Sequence, residues 1–437
     1  CGEKAVRLKR DLQGRVTEQL GRSHKTQETQ SNYFQYDKLG RVTFANNADR
    51  KLRFQYDANG QLLEHWQDQW KTEHQYDQAG RRTQTILPDG QTVQFRYDKH
   101  GRLNQLGLND QPLTLRKFDQ QDREIERECS NGVLLKQSFD AFGKITQQQW
   151  HNLQNASESQ SENERQNQAQ LRSYQYEKTQ LVAIEDNLLG KKDYVYDELD
   201  QLISVQNTKN ESHTSERFEW DSFGNPAGEG VVVENDRLIK KNGASYRYDP
   251  CGNQIQVDAG KADNEAPKHQ TREFDGFNQL RRLRNNDKVN HYQYDALGRR
   301  SAKLTEQGKT DYLWDGDQLI GEHHQGKFRW YIYQPNTFLP IALVEEGQVY
   351  HYHLDHLGTP IQLTDNQGQT AWQADYRAFG EAQVTIEQVN NPIRFQGQYF
   401  DQESGLHYNR FRYYDPEIGR FIHQDPIGLV GGINHYQ

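Results

Sequence analysis

The sequence predicts an all-β protein built as an array of β-hairpins. Three observations predict this fold: an aromatic-Asp motif recurs at a nearly constant period, aromatic residues alternate in the segment before each motif, and turn-forming residues follow it. A fixed period of this size is typical of repeat architectures, in which each unit packs against its neighbours in sequence. The repeat therefore predicts one continuous superstructure, although 437 residues would otherwise suggest two or three domains.

Each complete copy of the motif has an aromatic residue, an Asp directly after it and a Gly three residues after that Asp. The clean copies are Tyr36-Asp37 with Gly40, Tyr56-Asp57 with Gly60, Tyr76-Asp77 with Gly80, Tyr97-Asp98 with Gly101, and Tyr294-Asp295 with Gly298. Looser copies begin at Phe118, Phe139, Tyr176, Tyr196, Trp220, Tyr248, Phe274 and Trp314. Successive copies in the N-terminal part are 20 or 21 residues apart.

Each repeat is predicted to form one β-hairpin. The residue two positions before the motif aromatic is often aromatic too, as in Phe34 and Tyr36, and this spacing places both rings on one face of a strand. The Asp can accept hydrogen bonds from main-chain N–H groups ahead of it, and the Gly supplies a left-handed conformation. This combination is typical of a short hairpin loop with a glycine bulge. Because an isolated hairpin is marginally stable, the hairpins are expected to pair edge to edge into a long sheet.

The composition favours a thin sheet over a filled core. Apolar residues make up 33% of the chain and the mean hydropathy is −1.12, whereas globular chains have about 45–50% apolar residues. Aromatic residues at 11%, placed regularly, argue against disorder. A sheet that is lightly packed on both faces reconciles the two observations, and if curved it could enclose a cavity.

The charge pattern excludes several function classes. The net charge is −9 with acidic and basic residues interspersed, so no basic stripe for nucleic acid is present. No apolar run reaches membrane-spanning length, so no membrane span is expected. The chain starts at Cys1 and contains no Met, from which we expect an internal piece of a longer polypeptide.

Neither a cofactor nor a metal is expected. The cysteines lack the CxxC spacing of zinc sites and do not suggest a disulfide framework. They are Cys1, Cys129 and Cys251. His351, His353 and His356 form an H-x-H-x-x-H cluster, in which strand alternation would place the first two on one face. The cluster could bind a metal ion, or its histidines could simply occupy polar positions of a strand and the turn after it. We favour the second interpretation.

The C-terminal part carries the most specific pattern. It includes Tyr350-His-Tyr-His-Leu-Asp-His-Leu-Gly-Thr-Pro360 and, near the end, Asp425-Pro426-Ile427-Gly428-Leu429 followed by Gly-Gly-Ile-Asn434. Together with the repeats, these blocks closely resemble the Rhs (rearrangement hotspot) family of YD-repeat proteins. The resemblance covers essentially the whole chain. It divides the chain into a YD-repeat hairpin spiral at 1–326, a conserved Rhs core block at 327–380 and a C-terminal signature at 381–437.

The resemblance implies a spiral β-sheet wound into a hollow shell, or cocoon, with an inward-folded C-terminal plug. In that family the shell encloses a toxic domain made downstream in the same polypeptide, and the C-terminal region resembles an aspartyl autoprotease that releases it. Implied partners are this toxin domain, the protein's own N-terminal region or plug, and a secretion spike protein and chaperone. Bacterial members are made in the cytoplasm and commonly delivered out of the cell by type VI secretion.

The family pattern assigns the catalytic role to Asp425, with Arg420 as the neighbour that could hold it ionised. Aspartyl chemistry needs two carboxylates, and the second Asp-Pro motif of the family would lie beyond Gln437. A turn-capping Asp425 and an ordinary salt-bridging surface Arg420 are the structural alternatives. Asp415 is interpreted as a turn residue.

Two other functions remain open. An extracellular YD-repeat adhesin would bind carbohydrate through exposed aromatic residues, whereas the structural interpretation of those rings is stacking within the sheet. A toxin-complex C component would instead close its cocoon with a B subunit. Sequence upstream of Cys1 would distinguish this component from a type VI-like effector.

A polar segment at 152–170 interrupts the repeats. It is predicted to be an exposed loop or a short polar helix.

Overall fold

The computed structural model describes residues 5–23, 28–153, 169–209, 212–260 and 268–437. These residues form 39 β-strands and a short 3₁₀ helix at Gly428–Gly431. The all-β prediction is confirmed. Most of the polar segment at 152–170 falls outside the described residues, as does Cys1.

The first sheet contains 19 strands, and strands that follow one another in sequence pair antiparallel. Its strands are β1 (Ala5–Arg10), β2 (Val16–Arg22), β3 (Thr29–Tyr36), β4 (Val42–Asn46), β5 (Lys51–Tyr56), β6 (Leu62–Gln67), β7 (Trp70–Tyr76), β8 (Arg82–Ile86), β9 (Thr92–Tyr97), β10 (Leu103–Leu108), β11 (Gln111–Phe118), β12 (Glu124–Cys129), β13 (Val133–Phe139), β14 (Ile145–Asn152), β15 (Gln170–Glu177), β16 (Gln180–Asp186), β17 (Gly190–Tyr196), β18 (Leu202–Lys209) and β19 (Ser212–Arg217).

The second sheet contains 16 strands in sequence order. Its strands are β20 (Val232–Glu234), β21 (Arg237–Lys241), β22 (Ala244–Tyr248), β23 (Gln254–Ala259), β24 (Lys268–Phe274), β25 (Leu280–Asn285), β26 (Lys288–Tyr294), β27 (Arg300–Thr305), β28 (Gly308–Asp315), β29 (Gln318–His324), β30 (Lys327–Tyr333), β31 (Pro340–Glu345), β32 (Gln348–Leu354), β33 (Pro360–Thr364), β34 (Thr370–Tyr376) and β35 (Ala382–Glu387). A third, C-terminal sheet contains β36 (Tyr399–Asp401), β37 (Leu406–Asn409), β38 (Arg412–Asp415) and β39 (Arg420–Phe421).

The repeat forms the predicted hairpin. In the copy at Tyr36, β3 pairs with β4 and a register shift separates Gln35 from Tyr36. The N–H of Asp37 donates to the carbonyl of Arg41 at 2.9 Å, and the N–H of Gly40 donates to the carbonyl of Asp37 at 3.1 Å. These bonds close a bulged turn whose members all lie within six residues of one another, so local sequence is sufficient to specify it.

The motif glycines adopt the left-handed conformation that the turn requires. Their φ values are 84° at Gly40, 91° at Gly60, 81° at Gly80, 84° at Gly101 and 79° at Gly298. In looser copies the same position is taken by Asp122, Asp200 and Asn278, with φ from 60° to 63°. Asn and Asp tolerate this region better than other non-glycine residues, which explains how these repeats keep the turn without glycine.

We expect Gly60→Val to lower the free energy of unfolding by about 1–3 kcal/mol, because a β-branched residue is strained at positive φ. Gly60→Asn should cost clearly less, as the natural Asn278 indicates. Gly260→Val is the matched control, since a Cβ there meets open space and φ lies outside the left-handed region. Urea unfolding would measure all three, and equal stabilities of the two Gly60 variants would contradict the turn assignment.

The chain forms two compact units. Unit 1 comprises Cys1–His74, Trp220–Tyr331 and Pro392–Gln437, and unit 2 comprises Gln75–Glu219 and Ile332–Asn391. Each unit contains strands of both large sheets, and each has a small apolar cluster among the described residues. One cluster in unit 1 contains Phe34, Ala45, Leu52 and Ala296, and one in unit 2 contains Cys129, Val133, Leu135, Trp150 and Ile361.

Polar side chains join the two large sheets inside unit 1. Gln67 on β6 exchanges two 3.0 Å hydrogen bonds with the main chain of Trp314 on β28. Arg50 is buried and donates to the carboxylate of Asp311 at 2.7 Å. Buried polar groups need such partners, so each contact fixes one particular alignment of the sheets within this unit.

Candidate functional site

In several repeats an arginine at the position after the motif glycine links one repeat to the next. Arg41 Nε donates to Asp37 at 2.6 Å within its own turn, and Arg41 Nη1 donates to the carbonyl of Asp57 in the following turn at 3.2 Å. The guanidinium also lies over the Tyr56 ring at 4.7 Å, and Tyr56 donates its hydroxyl hydrogen to the carbonyl of Val42 at 3.0 Å. Cation–π contact and hydrogen bonding therefore occupy the ring of the next repeat.

This arrangement recurs along the first sheet. The arginine, its own Asp and the covered ring are Arg15, Asp11 and Tyr36; Arg81, Asp77 and Tyr97; Arg102, Asp98 and Phe118; and Arg123, Asp119 and Phe139. Burial alone would raise the pKa of Asp98, but hydrogen bonds from Arg102 and from main-chain N–H groups bring it to about 2. Sequence reasoning assigned the turn to Asp and Gly and missed the arginine, although its position directly after Gly was visible.

Asp425 lies after the C-terminal sheet in a turn of its own. Its side-chain Oδ1 accepts the N–H of Ile427 at 3.0 Å, and its main-chain carbonyl accepts the N–H of Gly428 at 3.0 Å. Its Oδ2 lies 3.0 Å from Arg412 Nη2, with 15% of the Asp425 side chain exposed. The residue thus has the geometry of a turn cap and also presents one charged oxygen to an arginine.

Arg412 connects Asp425 to Gln437. Its Nη2 pairs with the Asp425 carboxylate, and its Nη1 donates to the main-chain oxygen of Gln437 at 3.2 Å. The guanidinium also lies over the Phe421 ring at 3.5 Å. Burial lowers the pKa of Arg412, while the charge of Asp425 opposes that shift. One arginine therefore holds Asp425 and Gln437 close to each other.

A cavity of about 290 Å³ borders Asp425 and Pro426. Aromatic side chains contribute much of its wall. These are Phe277, Tyr294, Tyr408, Phe411 and Tyr413. His423 also lines it, and its Nε2 accepts the N–H of Tyr413 at 3.3 Å. The site therefore offers a carboxylate at the edge of a cavity within unit 1 that is lined by both aromatic and polar side chains.

Arg420 lies elsewhere, and the expected pairing with Asp425 is corrected. The Arg420 side chain is buried, and its Nη2 donates to the carbonyl of Asp236 at 2.7 Å and to Asn225 Oδ1 at 3.2 Å. It also lies over the Tyr436 ring at 5.2 Å. Burial lowers its pKa. The ion-pair partner of Asp425 is Arg412, because Arg420 is directed toward the loop that contains Asn225.

Asp415 has the contacts of a turn residue. Its Oδ1 accepts the N–H of Glu417 at 3.1 Å, and its carbonyl accepts the N–H of Gly419 at 2.9 Å. It is only 5% exposed, and burial raises the pKa of its carboxyl group. These contacts are those expected of the turn interpretation.

A buried ionic cluster fastens the C-terminal sheet to the second large sheet within unit 1. Asp401 is fully buried and accepts hydrogen bonds from Arg300 Nη1 at 2.9 Å, from the Tyr292 hydroxyl at 2.6 Å and from Ser404 Oγ at 2.7 Å. Burial favours the neutral acid, but Lys303 and Arg300 hold the pKa of Asp401 below its ordinary value. The sequence offered no signal for this cluster, since Asp401 lies some 100 positions from Arg300 and Tyr292.

Tyrosine rings surround the cation of this cluster. The Arg300 guanidinium lies 4.5 Å from the centroid of the Tyr312 ring and 4.6 Å from that of the Tyr408 ring, with Tyr399 and Tyr292 further away. A desolvated cation gains more from such rings than an exposed one. The cluster therefore holds β36 and β37 against β26–β28, and with them the segment that carries Asp425.

Two further features of the described residues bear on the candidate chemistry. Over the residues that the structure describes, no group of three or more His, Cys, Asp or Glu side chains could hold a metal ion. The same residues include no helix long and apolar enough to cross a membrane. His351 and His353 are both buried on β32, and each contacts a hydroxyl group.

Comparison with known proteins agrees with the fold. A sequence profile described as teneurin YD-shell matches residues 4–111, and one described as RHS protein matches residues 349–386. The crystal structure of TcdB2-TccC3-TEV superimposes on 99% of this chain with a TM-score of 0.73 at 16% identity, and the chain covers 26% of that structure. A Photorhabdus luminescens Tc holotoxin pore matches with a TM-score of 0.61 at 14% identity, over 100% of this chain and 26% of that one.

Two of the curated relatives are named as toxins. Double-stranded DNA deaminase toxin A of Burkholderia cenocepacia is 30% identical over 88% of this chain, and toxin protein Tse5 of Pseudomonas aeruginosa is 28% identical over 91%. The chain spans 29% and 35% of the lengths of these two relatives.

The repeats, the long antiparallel sheets and the structural match define a YD-shell protein. Within that class, the chain belongs to the Rhs family, as its C-terminal blocks indicated.

Proposed function

We propose that this chain is the shell segment of an Rhs toxin, which encloses a toxin domain carried further along the same polypeptide. The observation that supports this most directly is the extent of the alignments. They span about nine-tenths of this chain but only about a third of each toxin. The relatives therefore carry large additional parts, for which a β-shell of this kind would serve as the container.

We further propose that Asp425 takes part in self-cleavage that releases the toxin. Its carboxylate is partly exposed, borders a cavity and is held next to Gln437 by Arg412. In aspartyl chemistry one carboxylate removes a proton from water, which adds to the peptide carbonyl, and the other protonates the departing amine as the C–N bond breaks. The second carboxylate would come from residues that follow Gln437.

The division into a repeat spiral at 1–326, a core block at 327–380 and a C-terminal plug at 381–437 remains part of this proposal. So does delivery out of a bacterial cell by a type VI-like route, with a spike protein and chaperone as partners. The similarity to toxin protein Tse5 and to double-stranded DNA deaminase toxin A supports a role in toxicity, and the delivery route is a proposal.

Protease protection tests enclosure. In the full-length parent, we expect the downstream toxin domain to remain intact under native digestion, over a time in which the same domain expressed alone is degraded. In the digest of the parent, an exposed shell turn such as that at 38–40 serves as the internal reference for protease activity. Equal degradation of the enclosed and the isolated domain would reject the container function.

A second candidate is a toxin-complex C component that closes its shell with a B subunit. The match to the TcdB2-TccC3 structures favours it. Purification of the parent would separate the two, because protection of the toxin without any added subunit supports a self-sufficient shell. Carbohydrate binding is less favoured, because motif rings such as Tyr56 are covered by a guanidinium and use their hydroxyl groups within the sheet.

A further inference from the structure

The H-x-H-x-x-H cluster lies where the two large sheets meet inside unit 2. His351 and His353 project from β32 and are 0% and 3% exposed. His351 Nε2 is 3.0 Å from Ser130 Oγ, in the turn between β12 and β13. His353 Nε2 is 2.9 Å from Thr364 Oγ1, which also accepts a hydrogen bond from Asn131 at 2.9 Å. His351 thus connects β32 directly to the first sheet, and His353 connects it through the Thr364 hydroxyl group, which Asn131 also contacts.

The surroundings of these imidazoles suit the neutral form. The Trp150 ring meets His353 edge to face at 6.4 Å, and the Tyr174 ring packs on His356 at 4.7 Å. Cys129, Val133, Leu135 and Ile361 form the apolar cluster around Trp150. A charge in such a place lacks solvation. Protonation would therefore oppose the packing that holds the sheets together here.

The charged groups nearby do not neutralise a protonated imidazole. Those that face the cluster from the neighbouring elements are Arg116, Glu124, Arg127, Arg172, Asp186, Asp355 and Asp365. Glu124 already pairs with Arg127 at 2.7 Å and with Arg116 at 3.3 Å, and Asp186 pairs with Arg172 at 2.9 Å. Asp355 and Asp365 each accept main-chain N–H groups of their own turns.

We propose that His351 and His353 form an acid-sensitive latch, which holds β32 to the β12–β13 turn at neutral pH and releases it on acidification. The latch does not depend on the proposed container function. On opening, the protonated imidazoles gain water as a partner, and the strand that carries Cys129 becomes accessible.

The direction of the pH dependence follows from burial. Burial, with a contribution from Arg127, lowers the pKa of His351 to about 4, and burial, His351 and Arg127 lower that of His353 to about 3. An exposed histidine titrates near 6.5, so the open state binds more protons below that pH. The closed latch is fully stable above about pH 6.5 and loses stability as the pH falls toward 4.

The size of the effect can be stated as a change in the opening equilibrium. For a histidine whose pKa rises from about 4 or 3 to about 6.5 on opening, the ratio of open to closed latch at pH 5 increases about 30-fold over its value at neutral pH. The two histidines together give about a thousandfold increase if they act independently.

Cys129 provides the site-specific probe. It is 5% exposed and directly precedes Ser130. The full chain would be treated with dithiodipyridine, which reacts with thiols in mild acid. Mass spectrometry would then measure the rate at which the peptide that contains Cys129 is labelled. Rates at pH 7.5 and 5.0 would each be divided by the rate in urea-unfolded protein at the same pH. We expect a large increase in this ratio on acidification.

The double variant His351→Gln/His353→Gln should lose most of the acid-induced increase, whatever its labelling ratio at pH 7.5. The control His100→Gln, in an exposed turn of the first sheet, should retain the full increase. An equal acid response in the double variant and the parent chain would overturn the latch. If the double variant does not fold, the two single variants take its place, and each should show an acid-induced increase that is about 30-fold smaller than that of the parent chain. NMR titration of the unchanged protein is an independent test, and a result in which every imidazole titrates near pH 6.5 would also overturn the latch.

Discussion

The Asp425→Asn variant of the full-length polypeptide is expected to stay uncleaved, while the shell keeps its size and melting temperature. Asn preserves the shape of Asp425 and its hydrogen bond from the Ile427 N–H, so the turn should form normally. It removes the carboxylate that would activate water. Loss of one general base typically slows a reaction by about 10²–10⁴-fold, which would leave intact polypeptide on an electrophoresis gel after the parent is fully processed.

The matched control for this variant is Asp365→Asn. Asp365 also caps a turn, through the N–H groups of Gln367 and Gln369 at 2.9 Å, and lies in unit 2, outside the candidate site. Its variant should be cleaved at the rate of the parent. Normal processing of Asp425→Asn into shell and toxin fragments would show that Asp425 is a turn residue only.

Asp401→Ala should lower the free energy of unfolding by about 3–5 kcal/mol, because it leaves the buried Arg300 cation without its carboxylate partner. It also removes the hydrogen-bond acceptor of Tyr292 and Ser404. The C-terminal sheet should detach first, since Asp401 lies on β36 and its partner Arg300 lies on β27. Urea unfolding and limited proteolysis near 392–437 would measure both effects.

Two variants sharpen this test. Asp401→Asn keeps the size of the side chain and should cost less than Ala, yet it still leaves the Arg300 charge uncompensated. Lys117→Ala removes an ion pair with Glu126 in which the lysine side chain is 75% exposed. This variant should leave the midpoint of urea unfolding almost unchanged. A similarly small change for Asp401→Ala would show that the cluster does not fasten the C-terminal sheet.

The hairpin repeat was predictable because its determinants are local. Asp37, Gly40 and Arg41 make their turn contacts within a few positions, so periodicity and turn chemistry were sufficient. The interpretation of the motif rings as structural agrees with the guanidinium that covers Tyr56. The repeat arginines were missed because their contact to the next ring crosses from one hairpin to another, and a motif read one copy at a time does not show it.

The sequence by itself determined the class of the protein: an all-β Rhs chain whose aromatic, Asp and Gly positions encode successive antiparallel hairpins. Only the tertiary structure decided which distant side chains meet. It paired Asp425 with Arg412 in place of Arg420, buried Asp401 against Arg300, and placed His351 beside Ser130. The physical reason is that a turn is specified by hydrogen bonds between residues that are close in sequence. The contacts between distant side chains depend instead on how whole sheets align, and that alignment results from many weak interactions acting together along the chain.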